Sequence, residues 1–291
     1  KGEFDVSEVF AEMTVPLLAD LPMVRQLDLD LAIRFADYST IGNATTWKTG
    51  LSWEVDDEVR VRTTYSEAIR APNISELYGA ASQTFFSVDD PCRTSNLDDL
   101  SDASIRTANC AALGIPSGFD SEYDDKTLEG LSGGNEDLKE EESTSYTLGV
   151  VYQPSFIDGL SITTDYWDIE ITNAISTLGE QLILDSCAST GEHCDKITRH
   201  GPGPLFGNSS DIDDRTTNVG GVDSSGYDFN VRYSTDLEGG TLTFNVDTTF
   251  YDTYDITQAN GDIVENAGFF LRNSGDDNFP EWKTNADVRY T

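Results

Sequence analysis

The sequence predicts an all-β fold, a transmembrane antiparallel β-barrel segment of about nine strands with long extracellular loops. Three observations carry the prediction. Apolar and polar residues alternate with a period of two, most alternating segments run to about ten residues or more, and the connections between them are by turns short and long.

A period of two puts successive side chains on opposite faces of an extended chain, so each alternating segment is a strand with one apolar and one wet face. The first such segment covers residues 5 to 17. The second sets Leu27, Leu29, Leu31, Ile33 and Phe35 against Asp28, Asp30 and Arg34. The third sets Trp47, Leu51, Trp53 and Val55 against Lys48, Ser52 and Glu54, and the fourth sets Val59, Val61, Thr63 and Tyr65 against Arg60, Arg62 and Ser66. Tyr146, Leu148, Val150 and Tyr152 alternate with small residues in the fifth, and residues 160 to 171 form the sixth. The last three carry Tyr227, Phe229, Val231 and Tyr233, then Leu242, Phe244, Val246 and Phe250, then Trp282, Ala286, Val288 and Tyr290. Globular strands average five or six residues, whereas strands of about ten cross a bilayer at a tilt.

Tight turns are expected near Asp20, Asp56, Ser155 and Glu238, and long excursions after Tyr38, Glu67, Thr172 and Asp252. The three longest loops span about 68–141, 172–216 and 253–280. Outer-membrane barrels pair short periplasmic turns with long extracellular loops in this way, around an apolar outer band and a polar lumen. Aromatic residues near strand ends, such as Trp47, Tyr65, Tyr152, Tyr251 and Trp282, suit interfacial girdles. A soluble sandwich or propeller also alternates, but strand length and loop asymmetry favour the barrel.

Composition narrows the function classes. The 291 residues could form one large all-β domain or two ordinary ones. A formal net charge of -35, from 53 acidic and 18 basic residues, repels a phosphate backbone and excludes nucleic acid as a partner. No run reaches the ~18 consecutive apolar residues of a membrane helix. No charged segment followed by an apolar one opens the chain, so any secretory signal lies outside it. Nucleophile-elbow, phosphate-loop and zinc-protease motifs are all missing, and carboxylates are too abundant for a glycosidase pair to stand out, so no enzyme is expected.

The run RVRTTYSEAIRAPNISELYG, residues 60 to 79, resembles the strand and loop entry near the middle of the barrel in TonB-dependent outer-membrane receptors. GGNEDLKEEESTSYTLGVVYQP, residues 133 to 154, is similar to that family's Gly-Asn, Leu-Lys and Glu-rich lead into the next strand. GLSITTDYWDIEITNAI, NVGGVDSSGYDFNVRY and FPEWKTNADVRY follow in the family's order, so the resemblance covers nearly the whole chain. Glu136 and Glu140 stand where the family usually has prolines. The resemblance implies the middle to late part of a 22-stranded barrel, with the plug domain, the energy-coupling box and a terminal aromatic all outside these residues. It implies TonB-energised uptake of a scarce nutrient across the outer membrane of a Gram-negative bacterium. The implied partners are outer-membrane lipid, the receptor's own plug domain, the inner-membrane TonB complex and a nutrient ligand. A secreted, acidic, disulfide-stapled β-protein that binds or adheres is the alternative.

If Val59, Val61, Thr63 and Tyr65 face lipid, Arg60 and Arg62 face the lumen, as do Asp228, Asn230, Arg232, Asn245 and Asp247 on later strands. Arg70 then lies at the extracellular rim, where it is expected to anchor the loop through a bidentate pair with Glu76 or with the Glu140 to Glu142 run. Direct ligand contact by Arg70, Asn73 and Tyr78 is the sharper, second reading.

Four cysteines fall in two local pairs inside long loops, Cys92 with Cys110 and Cys187 with Cys194, which reads as two disulfides in oxidising surroundings. His193 and His200 beside the second pair fit no zinc spacing, so no metal site is assigned. Leu178 to Ser186 reads as a short helix. No cofactor is implied. Calcium at the acidic loops stays open, although no EF-hand loop is present. The acidic loops disfavour polyanions and leave a neutral oligosaccharide, a peptide or a metal chelate such as a siderophore, with an uncharged chelate ahead of an anionic one.

Overall fold

A computed structural model describes residues 2–97, 102–120, 127–199, 205, 211–269 and 279–291. The chain opens with four long strands, β1 (Val6–Leu21), β2 (Val24–Tyr38), β3 (Gly42–Glu54) and β4 (Val59–Arg70). A first excursion holds α1 (Ile74–Tyr78), β5 (Ser82–Ser87), α2 (Thr94–Leu97), α3 (Ala103–Ala112) and β6 (Thr127–Ser132). The long strands β7 (Glu141–Tyr152) and β8 (Leu160–Thr172) follow. A second excursion holds β9 (Ile175–Ser176), α4 (Glu180–Ser189) and β10 (Thr217–Asn218). The chain finishes with β11 (Gly221–Leu237), β12 (Gly240–Thr257), β13 (Ile263–Glu265) and β14 (Trp282–Tyr290).

The nine long strands pair antiparallel with their neighbours in order, as an open meander with β1 on one edge and β14 on the other. The register joins the predicted faces into continuous rows. Val15, Leu29, Leu51, Thr63, Leu148, Tyr166, Tyr227, Phe250 and Trp282 stand side by side across all nine strands. One residue along, the row on the opposite face reads Asp28, Ser52, Arg62, Gly149, Asp165, Asp228, Thr249 and Lys283. The apolar row is left uncovered, with Leu148, Val150 and Phe244 each 41% exposed. A bare apolar face of this breadth is what a transmembrane barrel wall turns to lipid.

The turns at one end are tight for local reasons. Between β3 and β4 the Asp56 carboxylate accepts the N–H groups of Glu58 and Val59, each at 2.8 Å. Asp20 and Met23 adopt left-handed backbone at the β1–β2 turn. At the other end the long excursion expected after Tyr38 is instead a three-residue turn, residues 39 to 41, closed by Gly42 at φ 79°. Residues 43 to 46 lack an apolar alternation yet continue β3 opposite Asp37 to Arg34. Strands also run on past Glu67 to Arg70 and past Asp252 to Thr257. With a rise of about 3.3 Å per residue, such strands outreach an apolar band ~25 Å tall, so their ends need no apolar face.

Candidate functional site

The first two excursions fold into one cap over the loop end of the sheet. Its core gathers Leu128 from β6, Leu178, Ile183 and Leu184 at α4, and Leu205 and Ile212, with Phe86 of β5 packed against them. A second cluster joins Cys92, Cys110 and Ile115 of the first excursion to Ala188 of the second. The pattern on α4 explains the burial, since Ile183, Leu184, Cys187 and Ala188 share a face three to four residues apart.

Cys92 and Cys110 are bonded, as are Cys187 and Cys194. Asp90 and Arg199, one from each excursion, form a bidentate ion pair at 2.6 and 2.8 Å with side chains only 2% and 7% exposed. Gln181 and Asp89 exchange hydrogen bonds at 2.8 and 2.9 Å, and the Asn109 amide donates to the Ala188 carbonyl at 2.8 Å. At the start of α4 the Asp214 carboxylate accepts the N–H groups of Leu178 and Gly179, each at 3.0 Å. Burial pushes the Asp214 carboxyl above its ordinary range, against the lowering effect of those two donors.

The cap is tied to the wall at Arg70, the last residue of β4. Its Nε and Nη2 donate to Glu141 at 2.5 and 2.7 Å, and its Nη1 donates to Glu76 at 3.0 and 3.1 Å. Glu76 also accepts the Asn73 N–H at 2.8 Å, and Asn73 in turn accepts the N–H groups of Ser75 and Glu76, a capping box that starts α1. Glu141 accepts the Ile175 N–H at 2.8 Å, which brings the second excursion to the same point. The Arg70 hydrogen bond holds the Glu141 carboxyl below its ordinary range, and the Glu141 and Glu76 bonds hold Arg70 charged. Backbone packs closely here. A Cβ on Gly134 would lie 2.5 Å from the Gly79 nitrogen and 2.8 Å from the Leu77 carbonyl, so glycine is required.

The expected site residues can now be placed. Arg70 meets both Glu76 and Glu141, and Asn73 spends its side chain on the α1 cap. Tyr78 packs its ring against Gly2. Arg60, Arg62, Asp228, Asn230, Arg232, Asn245 and Asp247 all fall on the polar face by register. Arg62 binds Asp165 at 2.8 Å, and Asn230, Asn245 and Asp247 hydrogen-bond one another. Among the described residues no group of three or more His, Cys, Asp or Glu side chains is arranged to hold a metal. His200 and much of the acidic loop sequence considered for calcium, including Asp98, Asp99, Asp124 and Asp125, lie outside the described residues.

Sequence reasoning missed an aromatic group on the polar face near the cap. Trp167 meets Tyr251 edge-on at 5.4 Å, and Tyr254 stacks on Phe279 at 3.9 Å. Ser225 pairs with Thr253 and Gly226 with Tyr251, so Asp252 is an extra residue in β12; this bulge puts Tyr254 on the face of Tyr251, and bulges leave no periodic signal. Asp90 and Arg199, 109 residues apart, also gave no local sign of their pairing.

Residues 1–291 match the family model described as TonB dependent receptor-like, beta-barrel. Among solved structures the chain is similar to a mutant of the ferric enterobactin receptor PfeA from Pseudomonas aeruginosa, 15% identical with a TM-score of 0.56 over 98% of this chain and 30% of that one. It is similar to the siderophore receptor PirA from Acinetobacter baumannii at 13% identity and a TM-score of 0.56, over 98% of this chain and 31% of that one. At these identities the likeness is one of fold, and the chain spans about 30% of these receptors' length. No curated protein matches the sequence. The match along the whole chain, the meander with one apolar face and the cap at one end agree: the chain belongs to the TonB-dependent receptor-like β-barrel family.

Proposed function

We propose that this chain is lumen wall and capture loops of an outer-membrane receptor that imports a scarce nutrient with energy relayed by TonB. The observation that carries the reading is the nine-residue apolar row from Val15 to Trp282, backed by a polar row one residue along. Lipid covers the first face, and the lumen with its plug domain covers the second. The cap is the extracellular end, and its two disulfides suit oxidising surroundings. Arg70 acts there as the loop anchor, since its donors are already given to Glu76 and Glu141. The role is binding and transport rather than catalysis.

Over residues 71–140 and 173–220 the cap sequence holds 21 acidic and 7 basic residues. That charge supports a neutral or cationic ligand over a polyanionic chelate. Fractionation of cells that make the whole receptor tests the reading. The protein is expected with outer membranes, resistant to alkaline carbonate and released by detergent; recovery as a soluble protein in buffer would overturn it.

A further inference from the structure

The antiparallel β5–β6 pair has one edge that the rest of the described cap leaves open. The Leu131 N–H donates to the Ile212 carbonyl and the Asp214 N–H donates to the Leu131 carbonyl, both at 2.9 Å. Both main-chain groups of Leu131 therefore point away from β5. In an antiparallel ladder such a residue faces a partner whose groups also point away, and that partner is Gln83. The alternation continues along the strand, so Gln83, Phe85 and Ser87 turn their N–H and C=O groups outward while Ser82, Thr84 and Phe86 bond β6. Among the described residues the outward groups meet no partner.

Natural edges are guarded by charge or proline. The outer strand β1 follows that rule with Glu8, Glu12 and Pro16, whereas β5 reads SQTFFS with neither. Gln83, Phe85 and Ser87 are exposed, Phe85 at 60%. Phe86 on the opposite face packs into the core around Leu128 and fixes the strand in register. The charge of the cap is one-sided, with 21 acidic against 7 basic residues over 71–140 and 173–220. Arg93, Arg106, Arg199 and Arg215 are each bound to an aspartate, and Glu129 stands directly across from Phe85.

We propose that the outer edge of β5 captures an extended basic peptide by strand addition. The proposal rests on the receptor reading, because it names the class of cargo. Backbone bonds to Gln83, Phe85 and Ser87 supply the ladder, Phe85 covers one side chain of the peptide, and the acidic cap draws its lysines or arginines.

The test titrates the whole receptor in detergent with an amidated heptapeptide of lysine alternating with threonine or valine. Saturable binding is expected, at least about tenfold weaker for the glutamate counterpart. Gln83→Pro combined with Ser87→Pro removes two outward donors without touching a β5–β6 bond or any charge. That variant should bind at least about tenfold more weakly, and Gln83→Ala with Ser87→Ala within about twofold. N-methylation of alternate peptide amides should weaken binding to the unaltered receptor just as much, which covers a proline variant whose cap fails to fold. No saturable binding, equal binding of the glutamate peptide, or indifference to peptide N-methylation would overturn the proposal and leave the receptor reading standing. A protein soluble without detergent would remove the receptor reading instead.

Discussion

Arg62 on β4 and Asp165 on β8 are not neighbours in the sheet, yet they form an ion pair at 2.8 Å across Gly149 of the intervening strand β7. A Cβ at position 149 would lie 2.9 Å from Arg62 Nε and 3.0 Å from Asp165 Cγ. Trp167 and Tyr251 meet in the same way across Gly226, where a Cβ would lie 2.8 Å from the indole. On this polar face glycine lets side chains two strands apart touch, which couples strands beyond nearest neighbours.

Gly149→Val should force the ion pair apart. Arg62→Ala alone is expected to cost no more than ~1 kcal/mol, because the pair is partly exposed. Gly149→Val should cost more than that in thermal unfolding of the detergent-solubilised receptor, and less in the Arg62→Ala background than in the wild type. Full additivity of the two changes would show that the valine does not act through the pair.

The Asp90–Arg199 pair is buried, so removing Asp90 takes a bidentate acceptor from a charge held away from water. Asp90→Ala should destabilise the cap by roughly 3–5 kcal/mol, and Asp90→Leu with Arg199→Met should recover most of that loss. Hydrogen exchange over α4 measures both. Equal loss in single and double variants would mean that loss of the pair itself, not the charge left behind on Arg199, sets the cost.

The anchor at Arg70 should let go in acid. The Glu141 pKa is depressed, so its contribution is complete above the ordinary value of 4.5 and is lost as pH falls through the lower folded-state value. Exchange over residues 71–79 and 173–176, corrected for intrinsic rates, should therefore rise below about pH 4. Arg70→Ala should raise it about tenfold at pH 6, equivalent to roughly 1.4 kcal/mol, and remove the acid step. An unchanged pH profile in Arg70→Ala would contradict the assignment.

Asp214 behaves with the opposite sign. Its raised pKa means that burial disfavours the charged form, so Asp214→Asn, which keeps an acceptor for Leu178 and Gly179, should be neutral or slightly stabilising at pH 7. Asp214→Leu should lose about 1–2 kcal/mol of cap stability, because two helix-start N–H groups lose their acceptor. Equal destabilisation by both would show that the charge itself is needed.

Non-reducing peptide mapping should recover Cys92 linked to Cys110 and Cys187 linked to Cys194. Loops closed over 18 and 7 residues contribute about 3 and 2 kcal/mol in the chain-entropy account. Removing the longer one should therefore open the cap to protease more than removing the shorter one. Four free thiols in the native protein would contradict both.

The wall was legible in the sequence because strand periodicity is local: the faces of β2, β4 and β12 follow from which residues alternate. Arg70 was legible because Glu76 is six residues away and the Glu140 to Glu142 run is conspicuous. Legibility failed where the membrane stops dictating the pattern. The polar stretch after Tyr38 reads as a loop although it extends a hairpin. The cap was least legible, since the core around Leu128 and the Asp90–Arg199 pair join segments far apart in sequence.

The central claim is that alternate residues of each long strand face lipid and lumen, and it is tested most directly on β7. Spin labels placed singly at residues 146, 147, 148, 150 and 151 of the whole receptor in bilayers report collisions with oxygen, which concentrates in lipid, and with a water-soluble nickel chelate. The account predicts oxygen maxima at positions 146, 148 and 150 and nickel maxima at 147 and 151. Profiles without a period of two, or with both faces open to the nickel reagent, would contradict it.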